Sequence, residues 1–278
     1  MTVKKNYTIA EASEYLSLPQ KYLENYIKVG NEIELTKIGR RKLVLHADIE
    51  EWKKQREFSF IKLNREDYLR CLEFAIRSFY AYRSTSDFGT SQQRDAGKFV
   101  SNFVIGKLGE LAVSYFLKRN FDLDTKLDFD LRDAVVGQDI TEIAKPRRGG
   151  RVYNPLNLRI AIKTSKMKNV WLIVPSKEVA DSERCSDVYI FSRVDLYLNH
   201  FLRILKEHEA LSNLETIIPS FKEIDAEVCG FVKKNELTST PAVTTLPSPK
   251  QDIQLSYIIR SGALHKSESE WSELINEL

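Results

Sequence analysis

Residues 158–166 read Leu-Arg-Ile-Ala-Ile-Lys-Thr-Ser-Lys. Leu158, Ile160 and Ile162 alternate with Arg159, Ala161 and Lys163, which predicts a strand with one face in a core. A second apolar run, VWLIVP (170–175), follows at once and reads as another buried strand. Upstream, Gly137-Gln138-Asp139-Ile140 sets a carboxylate at a strand edge behind a short apolar strand, Ala134–Val136. Further back, IGKLGELAVSYFLKR (105–119) predicts a helix whose main apolar stripe holds Val104, Leu108, Leu111, Ala112, Tyr115 and Phe116. At about 100° per residue, Glu110 falls opposite that stripe, bordered by Phe103, Gly106, Val113 and Leu117. A carboxylate there is costly unless it is solvated, paired or bound to a cation. A helix followed by adjacent strands with polar ends, and by the later strand-like SDVYIFSRVDL, GFVKKNEL and QLSYIIR, predicts an α/β (α+β) core with a mixed sheet flanked by helices.

From Gly106 to Pro175 the order is a helical Glu, an Asp at a strand edge, then x-x-Lys on the next strand. This order resembles the PD-(D/E)xK nuclease superfamily, and within it restriction endonucleases that carry runs like GKLGE, GQDI, IAIKT and WLIVP. The resemblance implies a restriction-endonuclease-like core and hydrolysis of phosphodiester bonds beside Mg²⁺, which takes oxygen ligands and keeps several waters. Asp139 would be the central metal ligand and Glu110 an outer-shell or second one. Lys163 would orient or deprotonate the attacking water and offset charge on phosphorus. Thr164 and Ser165 would contact phosphate, and Lys166 or Lys168 would grip the backbone. The implied enzyme is a type II site-specific deoxyribonuclease of restriction-modification, either sensitive to or dependent on methylation. Cutting two antiparallel strands favours a homodimer.

One position departs from the pattern. The acidic member of D/E-x-K belongs at 161, where this chain has Ala161. Three explanations stand at this level: a carboxylate moved elsewhere, for example to Glu142 or Asp128; a naturally inactive copy; or a deliberate inactivating substitution, the one the pattern favours. An ordinary buried strand alanine is the plain alternative. The runner-up function is a non-catalytic DNA-binding regulator whose nuclease-like core serves dimerisation.

The N-terminal residues form a separate unit. Thr8 and Glu11 make a capping-box pattern before a helix carrying Ile9, Ala12, Tyr15 and Leu16. Pro19 suits the first turn of a second helix that turns Leu23 and Ile27 inward and stops at Gly30. A hairpin-like stretch, Glu34–Leu45, has a Gly39-Arg40-Arg41 tip, and Asp48 is expected to cap a closing helix. TIAEASEYL, KIGRR and ADIEEW in this order resemble the excisionase and MerR-type winged helix-turn-helix. That likeness implies double-stranded DNA as partner, with Gln20, Lys21, Asn25 and Lys28 facing bases and Lys37, Arg40 and Arg41 gripping phosphate.

The expected organisation is therefore 1–57 winged helix-turn-helix, 58–97 connector and helical segment, and 98–278 nuclease domain. Residues 58–65 read as a connector and 65–82 as a helix capped by Asn64, with Leu69, Leu72, Ala75, Ile76 and Phe79 on one stripe. Ser84–Gln93 and the Pro/Ser/Thr-rich Thr238–Lys250 read as loops. The 278 residues allow two domains, and the excess of 42 basic over 39 acidic residues gains meaning only from clusters at Lys37–Lys42, Lys145–Arg151 and Lys163–Lys168. No apolar run approaches the roughly 18 residues of a membrane helix, and the basic N-terminus lacks the apolar region of a secretory signal. Cys71, Cys185 and Cys229 are too scattered for disulfides or a zinc site, so a reduced, cytoplasmic protein is expected. His46, His200, His208 and His265 form no ligand cluster, and the lack of a P-loop argues against ATP.

Overall fold

A computed structural model describes residues 6–39, 41–82, 96–129, 138–147, 150–197, 200, 223–247 and 252–278. The N-terminal unit consists of β1 (Asn6–Tyr7), α1 (Ile9–Tyr15), α2 (Gln20–Lys28), β2 (Thr36–Ile38), β3 (Arg41–Leu45) and α3 (His46–Ser59). Its sheet has the order β1-β3-β2, so β2 and β3 form the wing. The Thr8–Glu11 capping box is present. Asp48 is not the cap expected for the closing helix. That helix already starts at His46, and Asp48 lies in its first turn, where a negative charge suits the helix N-terminus.

The rest of the chain contributes β4 (Phe60–Leu63), α4 (Arg65–Tyr82), α5 (Ala96–Phe121), β5 (Asp124–Leu127), β6 (Ile140–Arg147), β7 (Gly150–Pro155), β8 (Ile160–Lys166) and β9 (Trp171–Pro175). Then follow α6 (Ser176–Ala180), β10 (Val188–Val194), β11 (Ile224–Lys233), α7 (Lys234–Thr238), β12 (Val243–Thr245), β13 (Asp252–Arg260) and α8 (Glu268–Glu277). A four-stranded mixed sheet of order β4-β11-β10-β8 forms the centre, with β8 parallel to β10 and the other pairs antiparallel. The parallel pair needs a crossover, and β9 with α6 supplies it. Two three-stranded antiparallel sheets flank it, β5-β6-β7 and β12-β13-β9. The later strand β9, expected beside β8, thus pairs with β13 instead.

Residues 58–65 are not the expected connector. β4 is an edge strand of the central sheet, and Asn64 caps α4 in a reciprocal bond with Asp67. Both elements enter the main core, through Ile61, Leu63, Tyr68, Leu72 and Ala75. The core unit therefore begins at about residue 60 rather than 98. The expected loop 238–250 also carries structure, because the end of α7 and β12 fall within it. The segments 84–93 and 134–136 lie outside the described residues.

α5 positions the candidate site. Its 26 residues are apolar on both faces, and Val104, Leu108, Leu111, Ala112, Val113, Phe116 and Leu117 are all buried between α4 and the sheet. Gly109 allows this helix to lie directly on β8, since an added Cβ would stand 1.9 Å from the Thr164 hydroxyl. Among the described residues, no helix is long and apolar enough to cross a membrane.

Candidate active site

Asp139 ends the approach to β6 and sits against the outer edge of β8. Its backbone N–H donates to the Ile160 carbonyl at 2.9 Å, and its carboxylate Oδ2 accepts from the Ile162 N–H at 2.5 Å. Among the described residues β8 is the last strand of the central sheet, so these edge groups face no further strand of that sheet. Asp139 uses them, which fixes its carboxylate one residue from Lys163.

Glu110 lies on the α5 side of the same edge. The helix turns it inward beneath a nearly closed surface, and only 6% of it is exposed. Burial pushes its carboxyl up to about 8, and the charge of Asp139 adds to the rise. Lys107, one turn earlier, opposes both: its Nζ lies 2.7 Å from Glu110 Oε2 and donates to the Asp128 carbonyl at 2.6 Å. The ammonium also stands over the rings of Phe74 and Phe129. A buried carboxyl with a second carboxylate near it is a group whose charged form a cation would favour. Among the described residues, no three acidic, His or Cys groups form a ready cage for a metal. Mg²⁺ needs only one or two carboxylates with water completing its shell, and Asp139 and Glu110 are the two carboxylates on this side of β8, Glu110 Oε2 being held by Lys107.

Residues of β8 divide by parity. Ile160 and Ile162 join the core under α5, whereas Ala161 belongs to the apolar cluster of Leu172, Val174, Val179, Tyr189 and Phe191 on the other face. Ala161 is 5% exposed, so it fits as a packed strand residue. Lys163 shares its face and forms an ion pair with Glu178 in the first turn of α6, Nζ to Oε1 2.7 Å. Neither carboxylate considered as a replacement for position 161 is placed this way. Glu142 pairs with Lys126 at 2.9 Å on the β5–β6 ladder, and Asp128 contributes its charge to the surroundings of Glu110. Glu178 was missed in the sequence because it lies on a separate element, 15 residues beyond Lys163, where no periodicity links the two. Lys107 was legible as an i,i+3 partner of Glu110 within GKLGE.

The residues expected at DNA separate into three groups. Gln20, Lys21 and Lys28 are exposed on one face of α2, with Glu24 bonded to Gln20 at 2.9 Å and paired with Lys28 at 3.4 Å. Asn25 turns toward the core unit, where its amide donates to the Lys168 carbonyl. On the wing, Lys37 and Arg41 are exposed, and Arg40 lies outside the described residues. Along β8, the Thr164 hydroxyl donates to the Gly106 carbonyl at 3.4 Å and packs on α5, which ties it to helix–sheet contact. Ser165 accepts from Asn169, Lys166 is half-buried and Lys168 is exposed.

Residues 7–57 match the family model of a helix-turn-helix domain. No curated protein and no solved structure matches the chain. The chain therefore carries an N-terminal helix-turn-helix domain, which implies DNA binding, attached to a mixed α/β unit.

Proposed function

We propose that this chain is a Mg²⁺-dependent endonuclease of the PD-(D/E)xK type that cuts double-stranded DNA as a type II restriction enzyme. The observation that carries the reading is the bond from Ile162 N–H to Asp139, which holds a candidate metal ligand beside the strand that bears Lys163. The order α5, β5, β6, β8, α6, β10, with β8 parallel to β10, supports it, because the helical Glu, edge Asp and strand Lys follow one another in that type's order, with Asp139 at the β8 edge between the face of Glu110 and the face of Lys163.

Asp139 and Glu110 would hold Mg²⁺, which supplies Lewis-acid activation of water and of the scissile phosphate. Lys163 orients the attacking water and offsets the charge that grows on the phosphate oxygens. The water oxygen bonds to phosphorus as the bond to one ribose oxygen breaks; the water gives up a proton to solvent, and the leaving ribose oxygen takes one from solvent to become a hydroxyl. Glu178, ion-paired with Lys163, supplies the carboxylate that position 161 lacks, so Ala161 does not by itself disarm the site. Two strands require two such sites, which a two-fold homodimer provides.

The test is cleavage of supercoiled plasmid, methylated and unmethylated, with Mg²⁺. The native chain is expected to linearise at least one substrate. Asp139→Ala is expected to lose cleavage, and Glu178→Gln to slow it by about 100-fold or more. Ala161→Asp is expected to bring no gain. Cleavage by Ala161→Asp alone would assign the missing carboxylate to position 161 and remove Glu178 from the mechanism. No cleavage by either protein would overturn the nuclease reading and leave a DNA-binding regulator.

A further inference from the structure

Packing against the core unit decides which side of α2 is left for DNA. At about 100° per residue, Leu23, Tyr26 and Ile27 form the buried stripe of this helix. The core unit takes the residues on one flank of that stripe. The Asn25 amide donates to the Lys168 carbonyl at 3.2 Å, the Tyr26 hydroxyl donates to the Met167 carbonyl at 2.8 Å, and the charge of Asp195, just past β10, reaches Tyr22. Beyond the helix, Glu32 binds Arg193 of β10 at 2.8 Å with both side chains buried, and Arg193 binds Glu227 at 2.6 Å, which holds α2 in this orientation. Val170 and Trp171 complete the seam by packing into the apolar core of the helix-turn-helix. The open side of α2 is therefore narrower than its sequence suggests. It holds Gln20, Lys21, Glu24 and Lys28, and Glu24 falls near its centre.

A carboxylate at that place needs a reason. Lys21, Lys28 and the exposed wing residues Lys37 and Arg41 suit a phosphate backbone, which repels an acid. A carboxylate only accepts hydrogen bonds, so within the major groove its match is an amino group. Adenine presents its N6 amino group beside the N7 acceptor, which repels a carboxylate, whereas cytosine presents its N4 amino group alone. The Glu24 carboxylate is also held in position. Gln20 Nε2 donates to Oε1 at 2.9 Å and Lys28 Nζ lies 3.4 Å from Oε2, and these bonds keep the carboxyl below the usual carboxylate range. Lys28, one turn further along, brings the charge that the O6 and N7 acceptors of a guanine match.

We propose that Glu24 is a specificity-determining residue of the helix-turn-helix and selects a C·G pair, its carboxylate accepting from the cytosine N4 amino group while Lys28 faces the guanine of that pair. Asn25, expected to face bases, is taken by the core unit and has no part in this readout. The assignment stands apart from the nuclease reading of β8, because it names the base pair that α2 reads whether or not the chain cuts.

The test is selection of bound duplexes from a random pool by the full native chain in EDTA, so that cleavage plays no part, repeated with Glu24→Ala and Glu24→Gln. The native chain is expected to fix a C·G pair at one position. Glu24→Ala is expected to open that position to all four bases while the rest of the selected sequence is kept. Glu24→Gln is expected to turn it to A·T, since an amide matches adenine N6 and N7. On the native sequence, N4-methylcytosine at that position replaces the amino hydrogen that points into the groove. Its presence is expected to weaken binding by the native chain about tenfold or more, and by Glu24→Ala less than about twofold. A Glu24→Ala protein that selects the same pair, or loses affinity for every duplex equally, would reduce Glu24 to a helix-stabilising partner of Lys28 and overturn the proposal. A native chain that selects no fixed C·G pair, or no sequence at all, overturns it as well. Failure to cut with Mg²⁺ would count against the nuclease reading alone.

Discussion

Glu110 shows how one residue's environment carries functional meaning. Its carboxyl ionises near 8 rather than at the ordinary 4.5, because burial and Asp139 both disfavour the charge. A folded value above the unfolded one means that the folded state retains a proton the unfolded state releases. Its stabilising contribution is therefore complete below about 4.5 and is lost as pH rises through about 8. Without divalent metal, the melting temperature is expected to fall between pH 6 and 9, and Glu110→Gln is expected to flatten that fall. Mg²⁺ should restore stability at the alkaline end for the native chain and much less for the variant. Thermal melts at several pH values, in EDTA and in Mg²⁺, measure both effects. A native profile equal to that of the variant would show that Glu110 does not titrate in this range.

At the scale of elements, two contacts set the geometry of the site and its frame. The first is the approach of α5 to β8 through Gly109, where an added methyl would collide with the Thr164 side chain. Gly109→Ala is expected to cost about 1–3 kcal/mol in denaturant unfolding, as overpacking of a close-fitting core does. Cleavage should fall with it, since Glu110 is the next residue. Thr164→Ala in that background should recover part of the stability, because it removes the nearest atoms. The second contact joins α7 to α8. His265 Nε2 lies 2.6 Å from Glu236 and Nδ1 lies 2.7 Å from Glu270, each acid being part of a helix capping box. Burial lowers the His265 pKa, but Glu270 and Glu236 outweigh it and leave it raised above 6.5. The stability this staple gives is thus complete below pH 6.5 and lost as pH rises through the raised value. His265→Gln is expected to remove that dependence, with unfolding curves at pH 6 and pH 9 as the check; an unchanged difference between the two would exclude the staple.

Across the whole molecule, the two units share a charged and apolar seam, and this should be visible in cooperativity. Arg193 is 1% exposed and its two carboxylate partners about as buried, so removing one partner leaves an uncompensated charge. Glu32→Ala is expected to cost about 3–5 kcal/mol. The native chain should unfold in one calorimetric transition, whereas Glu32→Ala should separate the helix-turn-helix from the core unit into two. Two transitions in the native chain would show that the seam does not couple the units.

Local patterns in the sequence were enough for the helix-turn-helix, for the Thr8 and Asn64 caps, and for the strand at 160–166, because capping and face alternation are properties of neighbouring residues. The isolation of Asp139, Lys163 and Glu110 as candidates came from the same level, through their order along the chain. Which groups meet was decided only by the tertiary structure. The partner of Lys163 is Glu178 on another element, β4 joins the central sheet from what reads as a connector, and Asn25 turns from a presumed groove toward the Lys168 carbonyl. Each of these depends on contacts between residues far apart in the chain, where burial and strand-edge hydrogen bonding override local preference.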